Sequence, residues 1–209
     1  YLPAPFGEEL SQQQTRDPVI RGLLSYMKRV GQFSTPSQVA RVRQITIAMF
    51  VTMAAEAPWR IYGTQPTIAE YLASRQVNSF WPCQVLIDVI GGYEVPANLY
   101  SHPQIHRISA LAALATTLVN DLYSAYKEHL KETGDFKLPY LLAARHHCSL
   151  QEAIDKAADI HDAVMQEYVT LEKQLLSNAT PLTQRYLKGL TTWVAGNCEW
   201  HKHSARYHI

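Results

Sequence analysis

Leu111-Ala-Ala-Leu-Ala-Thr-Thr-Leu-Val119 contains no charge and no helix breaker, and it runs directly into Asn120-Asp-Leu-Tyr-Ser-Ala-Tyr-Lys-Glu128. A helix that is apolar on every side has to be buried, so any fold available to this chain has this segment inside it. The continuation then places Asn120, Ser124 and Glu128 at i, i+4 and i+8. An α-helix turns about 100° per residue, so each step of four drifts only about 40° around the axis. The three side chains form one slanted row roughly 12 Å long. An amide oxygen, a hydroxyl and a carboxylate are hard ligands that magnesium accepts, with water and phosphate oxygens completing the shell. A solvated helix face would carry the same residue types, so the rest of the chain has to decide.

At 209 residues the chain is expected to form one domain, residues 1–209, with a substantial core. The composition is 47% hydrophobic and 18% charged with a formal net charge of +1, which argues against a nucleic-acid-binding surface. Cys83, Cys148 and Cys198 form an odd, widely spaced set, which fits a reduced cytoplasmic setting better than a disulfide framework. The longest apolar candidate for a membrane span is Ile45 to Ala55, interrupted by Thr46 and Thr52 and short of the roughly 20 residues required. The opening Tyr1-Leu-Pro-Ala-Pro shows neither an initiator Met nor a signal-peptide pattern.

Start and stop signals divide the chain into helices. Residues 1–16 read as an irregular lead-in. Asp17-Pro18 starts a helix that stops near Gly31, and Thr35-Pro36 starts a long one reaching about Ala57. The second half of that helix is almost wholly apolar and is expected to be buried. Thr67-Ile-Ala-Glu70 is a capping box, and its helix breaks at Asn78-Ser79. Pro82 can begin a further helix to Gly91-Gly92; Pro96 and Pro103 frame a loop; and Gly134 ends the helix that carries the polar row. His146-His147-Cys148 reads as a loop, Ser149-Leu-Gln-Glu152 as a second capping box with a helix to about Ser177, and Thr180-Pro181 as the start of a last helix to Trp200 or beyond. With no alternating strand pattern and no repeat, the fold class is all-α, long helices around a central space.

The pattern Asn120-Asp-x-x-Ser124-x-x-x-Glu128 resembles the second metal-binding motif of class I terpene synthases. Arg75 stands 45 residues before Asn120, where that family has a diphosphate-sensing arginine. The break at Asn78-Ser79 resembles the family's kinked segment, although the strain before Pro82 would also produce a break. Arg206-Tyr207 resembles the family's terminal pair that binds diphosphate, and a guanidinium fork suits phosphate oxygens. The resemblance implies that Arg75, Arg206 and Tyr207 act on the diphosphate, with Lys127 as a further cation. It also implies that Asn78, Ser79, Phe80, Trp81, Trp193 and Trp200 meet the substrate, the aromatic faces holding a carbocation by cation–π attraction. Read singly, Arg75 is equally a residue on a capped helix, Lys127 a solvated lysine and each aromatic a core residue. Cys198, His201 and His203 fit no standard zinc spacing.

The resemblance extends over about residues 17 to 209. Gln76–Cys83, Ile87–Pro96 and Glu199-Trp-His narrow it to a bacterial branch that cyclises a C-methylated geranyl diphosphate to a tertiary bicyclic alcohol. It implies magnesium as cofactor, three ions with diphosphate bound, and an isoprenoid diphosphate as substrate. The alternatives are a related cyclase acting on geranyl or farnesyl diphosphate, or a non-catalytic helical fragment. No Asp-Asp pair occurs in residues 1–209, so the family's aspartate-rich first motif is missing. The expectation is a chain that starts downstream of that motif, giving a helical barrel without its N-terminal helices. Partners in keeping with the resemblance are a second copy in a homodimer and an encapsulating protein shell. The shell would be reached through a segment upstream of Tyr1, placing the protein in the cytoplasm or in a protein nanocompartment.

Overall fold

The computed structural model describes residues 16–131 and 136–207, without the side chains of 126 and 128–131. Pro18–Phe33 (α1) and Pro36–Tyr62 (α2) are followed by Ile68–Asn78 (α3). Three single turns come next: Trp81–Gln84 (α4), Ile87–Ile90 (α5) and Ala97–Tyr100 (α6). The longest helix, Pro103–Lys131 (α7), precedes Leu138–His146 (α8), Leu150–Leu176 (α9) and Pro181–His203 (α10). No strand occurs among the described residues.

The starts are chemically legible. Asp17 Oδ1 accepts from the backbone N–H groups of Val19 and Ile20, at 2.8 and 3.3 Å. Reciprocal capping boxes open α2 (Thr35 with Gln38), α3 (Thr67 with Glu70) and α9 (Ser149 with Glu152). Each cap satisfies donors that a helix start leaves without an intrahelical acceptor, worth about 1 kcal/mol.

α7 is the axis of the molecule, packed against α3, α8, α9 and α10. Its run of small residues (Ala110, Ala112, Ala113 and Ala115) is buried, which lets neighbouring helices approach closely. Two core clusters flank it. Ile105, Ile108 and Leu111 meet Tyr168, Tyr186 and Leu187 in one; Leu118 meets Tyr71, Leu138 and Leu142 in the other. Buried Thr116 and Thr117 donate their hydroxyls to the carbonyls of Ala112 and Ala113 (3.0 and 2.9 Å), so they add no unpaired polar group. Pro103–Ala125 is long and apolar enough to cross a membrane by length and composition, unlike the shorter Ile45–Ala55, but 78% of that window is buried as a core helix.

Several expectations need correction. The apolar second half of α2 is not buried: Val51 is 62% and Ile61 72% exposed, because no element among the described residues packs over that face. The helix also runs on through Pro58 to Tyr62, stopping where Gly63 takes a left-handed φ of 65°. The expected helix from Pro82 to Gly91-Gly92 is two separate turns, and the Pro96–Pro103 loop contains the turn α6. α8 arises where the sequence reading placed no helix, and His147 closes it with a φ of 51°. Gly134 lies outside the described residues.

Candidate active site

Two cavities are bridged by a contact between α7 and α10: Asn120, which lines one, meets His201, whose ring packs on Phe80 and Trp200 of the other. The first is a polar cleft of about 290 Å³, lined by Glu56, Arg60, Arg75, Asn120, Lys137 and Arg206 among others. Its floor is organised by Asp121, which is fully buried. Asp121 lies next to Asn120 on α7, about 100° round the helix, and so faces α3 and α8. Its Oδ2 accepts from the Tyr71 hydroxyl at 2.5 Å and from the Leu138 backbone N–H at 3.3 Å. Its Oδ1 pairs with Arg75 at 3.3 Å and stands 3.8 Å from the Lys137 ammonium. Burial, and then the neighbouring Asp121 charge, push the Tyr71 phenol well above its ordinary range. Tyr71 is therefore a fixed donor. Two cations are thus anchored from behind by one carboxylate, with Arg75 Nε buried and unpartnered.

On the other side of α7, Asn120 donates its amide to the Tyr207 hydroxyl (3.0 Å) and meets His201 Nε2 at 3.1 Å. His201 Nδ1 contacts the Asn197 carbonyl at 2.8 Å. A carbonyl only accepts, so Nδ1 carries the proton and Nε2 accepts from Asn120. Burial, reinforced by the charges of Arg206 and Lys137 and opposed by the Asn197 hydrogen bond, lowers the His201 pKa and keeps the ring neutral. Phe80, Tyr123, Trp200 and Tyr207 surround that ring at centroid distances of 6.2, 5.8, 4.9 and 4.9 Å.

The second cavity is an apolar groove of about 760 Å³ along α10. Phe80, Ile87, Tyr93, Trp193, Asn197 and Trp200 line it, and Phe80 meets Trp193 edge-on with centroids 6.4 Å apart. Gly189, Trp193, Gly196, Asn197 and Trp200 fall on one face of α10 by their i, i+4, i+7, i+8 and i+11 spacing.

The structure brings Asn120, Arg75, Arg206 and Tyr207 to one place, and Ser124 lies one turn after Asn120 with its hydroxyl donated to the Asn120 carbonyl at 2.7 Å. Glu128 is on α7, but its side chain lies outside the described residues. The donor set fits a hard cation. Asn120 turns its N–H groups away and leaves Oδ1 toward Lys137 at 3.5 Å, and Ser124 donates its only proton to a carbonyl and keeps its lone pairs. Among the described residues no group of three His, Cys, Asp or Glu forms a metal site, which also disposes of Cys198 with His201 and His203 as a zinc centre.

Phe80, Trp193 and Trp200 line the groove, but Trp81 does not. It is buried against Ala110, Ala113 and Ile45, with its ring against His106 and its indole N–H 3.4 Å from Tyr100 Oη. Consecutive residues at a helix start point in different directions, and Trp81 takes the core side. Lys127 donates to the Arg206 carbonyl and so ties the terminal segment to α7 instead of lining the cleft. Asn78 and Ser79 brace the break: Asn78 donates to Glu56 at 2.5 Å, and Ser79 donates to Asn78 at 3.1 Å. The sequence alone does not single out Asp121, Lys137, Tyr71 or Asn197, and it offers His201 only as a zinc ligand and Tyr93 only as one aromatic among several. Asp121 stood inside the quoted motif, and His201 inside Glu199-Trp-His.

The family described as terpene synthase family 2, C-terminal metal binding, matches residues 4–167. A 2-methylisoborneol synthase of Streptomyces lasalocidi is 38% identical over 200 residues, which is 95% of this chain and 42% of that protein. The corresponding synthase of Streptomyces ambofaciens is 38% identical over 204 residues, 97% of this chain and 45% of that protein. The crystal structure of 2-methylisoborneol synthase from Streptomyces coelicolor A3(2) superposes with a TM-score of 0.89 at 33% identity, covering 98% of this chain and 67% of that one. The same enzyme in complex with Mg2+ and 2-fluoroneryl diphosphate also gives 0.89, over 99% of this chain and 66% of that one. The chain belongs to the terpene synthase family. It spans less than half the length of these curated relatives.

Proposed function

We propose that the protein containing this chain is a magnesium-dependent cyclase that converts 2-methylgeranyl diphosphate to 2-methylisoborneol and diphosphate. The observation that carries this reading is the join between the basic cleft and the apolar groove. Asn120 lines the cleft, and its partner His201 packs against Phe80 and Trp200, which line the groove. A molecule with a polyanionic head and a hydrocarbon tail would occupy both at once.

The residues divide the task accordingly. Arg75 and Lys137, held by Asp121, and Arg206 at the rim receive the diphosphate oxygens, and the guanidinium forks also orient it. Arg75 Nε, buried without a partner, is a donor that a phosphate oxygen would satisfy. Asn120, Ser124 and Glu128 would hold magnesium, with three ions expected when diphosphate is bound. Bound there, the ions supply Lewis-acid neutralisation of the leaving group. Phe80, Trp193 and Trp200 shape the hydrocarbon chain, exclude bulk water and offer ring faces to the cation.

The test is incubation of the full-length protein with Mg2+ and 2-methylgeranyl, geranyl or farnesyl diphosphate, followed by gas chromatography of the extracts. A 2-methylisoborneol peak from the first substrate is the expected result. Cyclic product only from geranyl or farnesyl diphosphate would overturn the substrate assignment; geranyl diphosphate is the stricter comparison, since it lacks a single methyl, worth only about 1–3 kcal/mol.

A further inference from the structure

Asn197 Oδ1, Trp193 Nε1 and Tyr93 Oη are buried and have no hydrogen-bond partner, and all three residues line the apolar groove. Buried polar atoms are almost always paired, so three orphans around one cavity call for a hydrogen-bonding guest. They follow one line. Tyr93 Oη lies beside Gly189, and Gly189, Trp193 and Asn197 stand at four-residue steps on α10, spanning about 12 Å along the helix.

The three are not chemically equivalent. A water that attacks a carbocation must aim a lone pair at carbon, so its own O–H needs an acceptor. An indole N–H only donates, which removes Trp193. The Tyr93 ring lies under the Arg185 guanidinium at 4.2 Å, two turns of α10 away from Asn197. Asn197 is the acceptor nearest the cleft, because its own backbone carbonyl holds His201, and His201 holds Asn120.

We infer that the Asn197 side-chain amide places the water that ends the reaction as an alcohol, an assignment that rests on the cyclase reading above. The water oxygen forms the new C–O bond using its lone pair, and one of its protons leaves to the diphosphate released earlier in the same turnover. An amide holds that water without itself taking a proton, whereas a carboxylate at this position would favour proton loss from the cation. Without a placed water the cation loses a proton from a neighbouring carbon to the same diphosphate and emerges as an olefin. Asn197 is thus a positioning residue that decides how the cation is quenched.

The experiment compares Asn197→Leu and Asn197→Ser with the unsubstituted full-length protein on 2-methylgeranyl diphosphate and Mg2+. The ratio of alcohol to olefin is read against diphosphate released, so a general loss of turnover does not move it. His201 keeps its bond in both variants, since that bond uses the backbone carbonyl. The Leu variant should lower the alcohol-to-olefin ratio by about tenfold, a change of about 1.4 kcal/mol in the competing barriers. The Ser variant, which keeps a hydroxyl acceptor, should stay closer to the original ratio. In 18O-labelled water the remaining alcohol should carry the label. An unchanged ratio in the Leu variant overturns the assignment alone. If the Leu variant fails to fold, Asn197→Ala is read by the same ratio and the same criterion. Absence of diphosphate release from the unsubstituted protein with any isoprenoid diphosphate overturns the cyclase reading and this assignment with it.

Discussion

The cleft and the groove are bridged by the Asn120–His201 contact, yet they treat polar groups in opposite ways. In the cleft, Asp121 collects Tyr71, Arg75, Lys137 and the Leu138 backbone, and only Arg75 Nε is left over. In the groove, Tyr93, Trp193 and Asn197 each carry a buried polar atom with no partner. Charge is held rigidly where the diphosphate would arrive, and hydrogen-bonding capacity is left open where a hydrocarbon and a water would lie. The buried Asp121 carboxylate should therefore be costly to remove from the fold, and a groove residue should matter mainly to what is bound.

Asp121→Ala tests the first half of that contrast and should have the largest effect. It takes the carboxylate away from the largely buried Arg75 guanidinium, and breaking a buried pair in this way costs about 3–5 kcal/mol. Urea unfolding of the full-length protein should show a fall of that order at unchanged m-value. A loss below about 1 kcal/mol would mean that water replaces the carboxylate and that the cleft is not rigid.

Asn120→Ala should act on chemistry more than on the fold. It removes the oxygen proposed for the metal and the donor that orients His201 and Tyr207. Loss of one group that stabilises developing charge lowers kcat by about 10²–10³. Turnover like that of the unsubstituted protein at saturating Mg2+ would remove the row from the mechanism.

How much of this was legible in the sequence follows from the range of the forces involved. Helix starts were readable because caps are local: Asp17, Thr35, Thr67, Ser149 and Thr180 each bond within three residues of themselves. α8 was missed because Lys137 before it provides no side-chain cap. The two apolar helices look alike in sequence, but α7 is surrounded, whereas the second half of α2 packs on α3 with one face and leaves Val51, Met53 and Ile61 uncovered on another. Apolarity states that a face needs cover, not that the cover lies in the same stretch of chain. Asp121 was overlooked although it stood beside Asn120, because its partners Tyr71 and Lys137 are brought to it only by tertiary packing. Phe80 and Trp81 could not be told apart for the same reason: they are neighbours in sequence and lie on opposite sides of a helix start.

Tyr93→Phe tests the other half of the contrast. The Tyr93 hydroxyl is buried without a partner, so deleting it removes a desolvation cost and no hydrogen bond. The thermal midpoint should rise, corresponding to about 1 kcal/mol. A fall of that size would show that the groove is as tightly paired as the cleft.

The smallest expected effect, and the one with opposite signs in its two readouts, comes from the glycines of α10. A Cβ built at Gly189 would meet Ile87 Cγ2 at 2.5 Å, so packing alone explains that glycine. A Cβ at Gly196 meets nothing within 4 Å. Glycine inside a helix costs about 0.5–1 kcal/mol relative to alanine through backbone entropy, and nothing in the surroundings of Gly196 requires it. Gly196 lines the groove, and its missing side chain leaves room for a hydrocarbon chain against the helix backbone. Gly196→Ala should therefore raise the thermal midpoint slightly, by an amount corresponding to about 0.5–1 kcal/mol. Gly196→Leu should fill the groove and raise KM for 2-methylgeranyl diphosphate more than it lowers kcat, because the lost contacts are made by bound substrate and transition state alike. Differential scanning fluorimetry and steady-state diphosphate release on the same preparations separate the two readouts. An unchanged KM in the Leu variant would mean that the tail does not lie along this face, and the hydrocarbon site would have to be sought elsewhere on the molecule.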